Sequence, residues 1–159
     1  GHGTHVAGLI AGLDNGQGIV GIAPRAKIVA AKVLDDQGNG KLEWLTDGLQ
    51  WAASVADVIS MSLGPNRKPP ETFHELIREI ASKGIPIVAA AGNDAANVNW
   101  PAAYQEVIAV TAITRNLKRA WFSNRGPEAE LAAPGVDLLS SYCGRKYAVL
   151  SGTSMATPH

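Results

Sequence analysis

The sequence predicts an α/β fold built on a mainly parallel sheet covered on both faces. Three observations carry this: helical and strand-like segments alternate along the chain, the strand-like runs are continuously apolar, and polar or glycine-rich text follows two of them. A strand with one wet face would alternate apolar and polar residues, and these do not.

The elements follow in order. His2 and His5 lie three apart in a glycine- and alanine-rich apolar segment of helical character. Lys27 to Leu34 is β-branched and apolar, reads as a strand, and is followed by the turn residues of 35–40. From Lys41 to Val55, Leu42, Leu45, Leu49 and Ala52/Ala53 recur at helical spacing, with Trp44 and Trp51 widening the stripe. Asp57 to Ser62 reads as a short buried strand ending at Gly64-Pro65. Pro69 and Pro70 suit the start of a helix whose apolar face is Phe73, Leu76, Ile77, Ile80 and Ala81, stopped by Gly84; His74 falls on its solvent side. Ile85 to Ala91 and Val107 to Val110 read as two further strands. Beyond Ala120 the pattern changes to short strands and turns, at 121–124, 133–135 and 147–150. Neither an internal repeat nor a domain boundary stands out, so residues 1–159 read as one domain.

Composition narrows the function. Hydrophobic types make up 46% of 159 residues and charged types 18%, enough for a packed core. Fourteen basic and fourteen acidic residues cancel, which disfavours a nucleic-acid partner. Apolar runs are interrupted well before the roughly 18 residues that a membrane helix needs. One cysteine, Cys143, excludes an internal disulfide and a cysteine-rich zinc site, and its neighbours read as an exposed turn whose cations lower its pKa.

Several residues invite chemistry. Ser154, in Gly152-Thr153-Ser154-Met155-Ala156, follows an apolar strand and opens a helix, as a nucleophile or a simple N-cap would. His2 and His5 are core or capping histidines, a base, or half of a metal site without further ligands. Gly16-Gln17-Gly18-Ile19-Val20-Gly21 has the spacing of a dinucleotide fingerprint, but a helix precedes it and a strand follows, the reverse of what that motif needs.

Taken together and in order, His2-Gly3-Thr4-His5-Val6-Ala7-Gly8, Ser62-Leu63-Gly64, Ala90-Ala91-Gly92-Asn93 and Gly152-Thr153-Ser154-Met155-Ala156-Thr157-Pro158-His159 resemble the subtilisin-like serine proteases, the subtilases, from end to end. The resemblance implies a three-layer α/β/α sandwich truncated at both ends, a partial catalytic domain over 1–159. It implies a serine endopeptidase of broad specificity that prefers large apolar side chains. Ser154 would be the nucleophile, His2 the general base and then acid, and Asn93 the oxyanion donor beside the Ser154 N–H. His5 is the motif's second histidine, not the base. Ser62, Leu63, Gly64, Ala90, Ala91 and Gly92 would line the specificity pocket, and Gly38, Asn39 and Gly40 would form the second edge gripping an extended peptide. Phe122 and Leu150 would stand on the leaving-group side.

The resemblance also implies structural Ca2+ on Leu13, Asn15, Gln17 and Ile19, and a weaker cation site on Ala102, Tyr104 and Val107. It implies protein or peptide substrates, a propeptide, a monomer, and secretion or residence in the cell envelope, although intracellular relatives exist. The triad's aspartate has no counterpart here and would lie upstream of Gly1, so the isolated chain should be inactive. Pro65 stands where a second glycine is common in the family. A non-catalytic subtilase-like binding domain and an α/β-hydrolase esterase are the alternative readings. The esterase order places serine before histidine, and this chain does the reverse.

Overall fold

The computed structural model describes residues 1–65 and 67–159. Its elements are α1 (His2–Ala11), α2 (Leu42–Val55), β1 (Ile59–Met61), α3 (Glu71–Ser82), β2 (Ile87–Ala90), β3 (Val107–Ile113), β4 (Ala129–Pro134), β5 (Leu138–Tyr142), β6 (Lys146–Leu150) and α4 (Thr153–Ala156). Strands β1 to β4 form a parallel sheet in that order, while β5 and β6 pair as an antiparallel hairpin. Ile59 lies opposite Ile87, and Ile87 opposite Val107, so residues of one parity face one way across three strands.

That shared parity builds the core. Ile59, Met61, Ile87, Ala89, Val107 and Ala109 meet Leu45 and Leu49 of α2 and Phe73, Ile77 and Ile80 of α3. Ile77 and Ile80 are both 0% exposed. The opposite face is covered more thinly, by the single turn of α4 and a small cluster of Val110, Ala112, Ala120, Phe122 and Ala156, while α1 packs on α4 and β5. Part of it opens into a trough of about 560 Å3 between Val88, Ile108 and the last residues, Thr157 to His159. The parallel sheet between helical layers agrees with the predicted fold class.

Four sequence expectations need correction. Residues 27–34 join no strand ladder, and Ile28 and Val29 remain exposed. A strand exists only with a paired neighbour, and the free edge of β1 does not meet this segment. Trp44 and Trp51 do not widen the buried stripe of α2; they are 43% and 46% exposed. Strand β4, whose sequence holds no β-branched residue, carries the parallel sheet into the region past Ala120 where the sequence marks only short strands and turns, because β3 supplies its ladder. Finally, His74 is not a free surface group. Its ring stacks on Tyr104 at 3.9 Å, its Nε2–H donates to Glu106 Oε2 at 2.9 Å, and Arg78 Nη2 donates to its Nδ1 at 2.9 Å. The His74 hydrogen bond leads in holding the Glu106 carboxyl below the ordinary 4.5, with the Arg78 charge adding to it.

Candidate active site

Parallel strands deliver their carboxyl ends to one edge, and the polar segments following β1 and β2 meet α4 there. Ser62 leaves β1 and exchanges two hydrogen bonds with Ser154: Ser62 Oγ donates to Ser154 O at 2.8 Å, and Ser154 Oγ donates to Ser62 O at 3.1 Å. Past β2, the Gly92 N–H donates to Thr153 Oγ1 at 3.1 Å. Gly92 has φ +107°, and a Cβ there would run into the Asn124 and Asn99 amides, so the turn demands glycine.

Asn93 is oriented by Thr153. Its Oδ1 accepts from the Thr153 N–H at 2.8 Å and from Thr153 Oγ1 at 3.0 Å. Two donors on the oxygen settle which way the amide is turned. Nδ2 is left as the donor end, with no hydrogen-bond acceptor among the described residues, in a residue that lines the same cavity as Ser154.

His2 opens α1, which packs against α4 and β5. Among the described residues no hydrogen bond joins His2 to Ser154, whose hydroxyl is turned to Ser62. The His2 ring reaches solvent, yet partial desolvation leads in lowering its pKa below the ordinary 6.5, with His5 adding to it. His5 is 0% exposed, and its Nε2 lies 3.1 Å from both Leu138 O and Ala148 O. With Ser140 Oγ donating to His5 O at 2.8 Å, this histidine pins α1 to the β5–β6 hairpin and has no access to a reacting atom.

A cavity of about 400 Å3 adjoins Ser154. Of the residues predicted for the specificity pocket, Leu63, Gly64, Ala90 and Gly92 line it. Ala91 is buried behind it, and Ser62 bonds to α4 instead. A Cβ on Gly64 would collide with Trp100 O, which explains the glycine. Gly38, Asn39 and Gly40 lie elsewhere, in a turn held by Asp35, whose Oδ1 accepts from the Gln37 N–H at 2.9 Å and the Asn39 N–H at 2.8 Å. These backbone bonds, Asn39 foremost, lower the Asp35 pKa. Phe122 is buried in the small cluster of the thinly covered face, and Leu150 is half-buried at the end of β6.

In the first predicted cation loop, Leu13 O accepts from the Asn15 N–H and Asn15 Oδ1 from the Gln17 N–H, each at 3.1 Å. The donor set is all oxygen and neutral, which suits a hard cation but supplies only four of the usual six to eight ligands. In the second, Tyr104 O accepts from the Val107 N–H at 3.0 Å. No cluster of three His, Cys, Asp or Glu side chains suited to a metal occurs among the described residues. Cys143 lies exposed in the β5–β6 turn.

Sequence reasoning passed over Asp94, Asn99, Trp100 and Asn124. Asn124 is fully buried, and its Oδ1 accepts from the N–H groups of Asp94 at 2.8 Å and Ala96 at 3.1 Å, fixing the loop after Asn93. The one signal for it in the sequence is a polar Ser123-Asn124 pair directly after apolar Ala120-Trp121-Phe122.

Comparison with known proteins decides the family, since the profile described as the Subtilase family matches residues 1–159 in full. The chain belongs to the subtilase family. Among relatives of this subtilase chain, the thermostable alkaline protease of Halalkalibacterium halodurans is 48% identical over 161 aligned residues, covering all of the chain and 44% of that protein. The minor extracellular protease Epr of Bacillus subtilis is 46% identical, covering all of the chain and 25% of that protein. For the intracellular serine protease of Paenibacillus polymyxa the figures are 45% identity, the whole chain and 51% of that protein. The subtilase chain therefore spans between a quarter and about half the length of these three relatives. No helix among the described residues is long and apolar enough to cross a membrane.

Proposed function

We propose that the protein containing this chain is a serine endopeptidase in which Ser154 attacks the carbonyl carbon of a peptide bond. The observation that carries the reading is the anchored Asn93 amide, whose oxygen is taken by Thr153 and whose Nδ2 is left as a donor beside Ser154. A neutral amide held this way costs no reorganisation when negative charge appears on the substrate oxygen. The Ser154 N–H is the second donor.

His2 accepts the proton of the Ser154 hydroxyl as the C–O bond forms. It then delivers that proton to the departing amine as the C–N bond breaks, leaving an acyl-enzyme that water hydrolyses by the same route in reverse. Partial desolvation favours the neutral imidazole that a base must be. For this transfer the Ser154 hydroxyl must leave Ser62 O, to which it donates here. This reading assigns the orienting carboxylate to chain outside residues 1–159. The small walls of the cavity admit a long side chain from a protein substrate.

Structural Ca2+ belongs to the same reading. Leu13 O, Asn15 Oδ1, Gln17 O and Ile19 O would hold it, with further oxygens from outside the loop, and the bound ion would stabilise the folded state by mass action. Chelation should lower the Tm of the full-length protein, and Asn15→Ala should shrink that shift. An unchanged Tm would remove calcium from the account. Export from the cytoplasm also belongs to this reading, and activity confined to the cell interior would refute it.

The test of the activity is casein hydrolysis together with fluorophosphonate labelling, in the full-length protein and its Ser154→Ala variant. Loss of both in the variant, with Tm retained, is the expected result. Cleavage by the variant at the parental rate would overturn the nucleophile assignment.

A further inference from the structure

Between Glu106 and Glu128 the chain has no acidic residue, yet this stretch holds Arg115, Lys118, Arg119 and Arg125. It also presents the two most exposed large apolar side chains of the described residues, Leu117 at 80% and Trp121 at 85%. We infer that this loop is a docking surface for an acidic, leucine-bearing stretch of a protein substrate, outside the cavity beside Ser154. That the partner is a substrate rests on the peptidase reading above; the surface itself does not.

The loop holds its shape without burying these side chains. Ile113 at the end of β3 bridges to Arg119, and between them the Thr114 N–H donates to Lys118 O at 2.7 Å. The Leu117 N–H closes the turn on Thr114 O at 2.9 Å. Leu117 has φ +57°, a left-handed conformation that costs a leucine more than it would an asparagine or glycine, and no burial offsets it. Arg119 braces the loop, its Nη1 donating to Ser123 O at 2.7 Å. Arg115, Lys118 and Arg125 are left exposed, and none of the four cations forms an ion pair among the described residues. Trp121 stands edge-on to Phe122, with ring centroids 5.5 Å apart.

The second half of the loop is tied to the active edge. Phe122 shares a cluster with Ala156, two residues beyond Ser154. The Ala95 N–H donates to Phe122 O at 2.8 Å, the Asn124 N–H to Gly92 O at 2.9 Å, and the Arg125 N–H to Ala96 O at 2.9 Å, on both sides of Asn93. No residue from 115 to 125 lines the cavity, so a polypeptide held at Ser154 would meet Trp121 and the cations with a more distant part of its chain. The chemistry of that part follows from complementarity. Carboxylates match the free cations, and an aliphatic side chain covers the indole. A polyanion without apolar groups would leave Trp121 and Leu117 in water, and a neutral apolar segment would leave the cations unmatched.

The test uses the full-length protein carrying Ser154→Ala, which binds without cleaving. The probes are a short peptide of glutamates broken by leucines and its counterpart with glutamine for each glutamate. By fluorescence anisotropy the glutamate peptide should bind about tenfold tighter, the effect of two or three exposed charge pairs. That preference should fall towards one in about 0.5 M salt. Arg115→Gln combined with Lys118→Gln should remove most of it, and Trp121→Ala should weaken both peptides by about tenfold, with Tm retained in each. In the parent, joining the glutamate–leucine segment to a cleavable peptide should lower KM and leave kcat unchanged. No preference for glutamate, or a preference that neither variant touches, overturns the inference. So does inorganic polyphosphate that binds as tightly as the peptide and is indifferent to Trp121→Ala, since that describes a surface for polyanions. Failure of the parent to label Ser154 overturns the peptidase reading and the partner's being a substrate, while the peptide affinities still decide the surface.

Discussion

On the α2–α3 face of the sheet, Ile77, Ile80, Ile87 and Val107 interlock with almost no polar atom between them. At the carboxyl ends of the same strands, Thr153 is bonded to Asn93 and Gly92, Ser62 to Ser154, and Asn124 to the Asp94 N–H, at 2.8 to 3.1 Å. The first region is held by volume and non-directional burial, and it tolerates change only when space stays filled. The second is held by donors and acceptors, each with a specified direction, and its residues can be exchanged for others of like size only by losing bonds. The face should therefore govern whether the protein folds, and the edge how well it acts once folded.

The sharpest way to break that division is to empty the face. Ile80→Ala should cost about 2–5 kcal/mol of stability, because a fully buried side chain is removed and the cavity left by it does not collapse fully. Denaturant unfolding of the full-length protein measures this, and active-site titration should give unchanged turnover per folded molecule. A fall in turnover per titrated site would show that face and edge are coupled.

The converse is Asn93→Ala, which removes a donor to developing charge worth about 1.5–3 kcal/mol. It should lower kcat by about 10- to 100-fold with KM little altered, and it should cost about 1–3 kcal/mol of stability by leaving the buried Thr153 donors unpaired. An effect on KM alone would mean that Asn93 binds ground-state substrate and is not a transition-state donor.

The smallest expected effect lies behind α3, at Glu106. Its pKa is depressed in the folded state, so its ionised form contributes stability that is present above the ordinary 4.5 and lost as pH falls through the folded value. Glu106→Gln should destabilise by less than about 1 kcal/mol at neutral pH, given its solvent access. That deficit should close as pH drops below 4.5, as thermal melts across pH 3 to 7 would read. A deficit independent of pH would assign the loss to packing.

Much of this was legible in the sequence. The period of Phe73, Leu76, Ile77 and Ile80 marks a helix with one buried face, and all four are buried on α3. The apolar runs around Ile59, Ile87 and Val107 mark strands covered on both sides, and they pair in parallel. The motifs around Asn93 and Ser154 are short, ordered text, and the fold brings these two residues to one cavity. His2 and Ser154 also lie on packed helices, but without a hydrogen bond between them.

What the sequence by itself determined is therefore what depends on near neighbours: the helical period of α3, the apolar strands, and the residue types and order of the subtilase motifs. Only the tertiary structure decided that residues 27–34 lack a ladder partner, that Trp44 and Trp51 face outward, that His74 is trapped between Tyr104 and Glu106, and that Asn124 reaches back to fix the loop after Asn93. Each of these depends on a partner, or the lack of one, from a distant part of the chain. Local periodicity reports which face of an element is apolar, but not which distant group arrives to cover it.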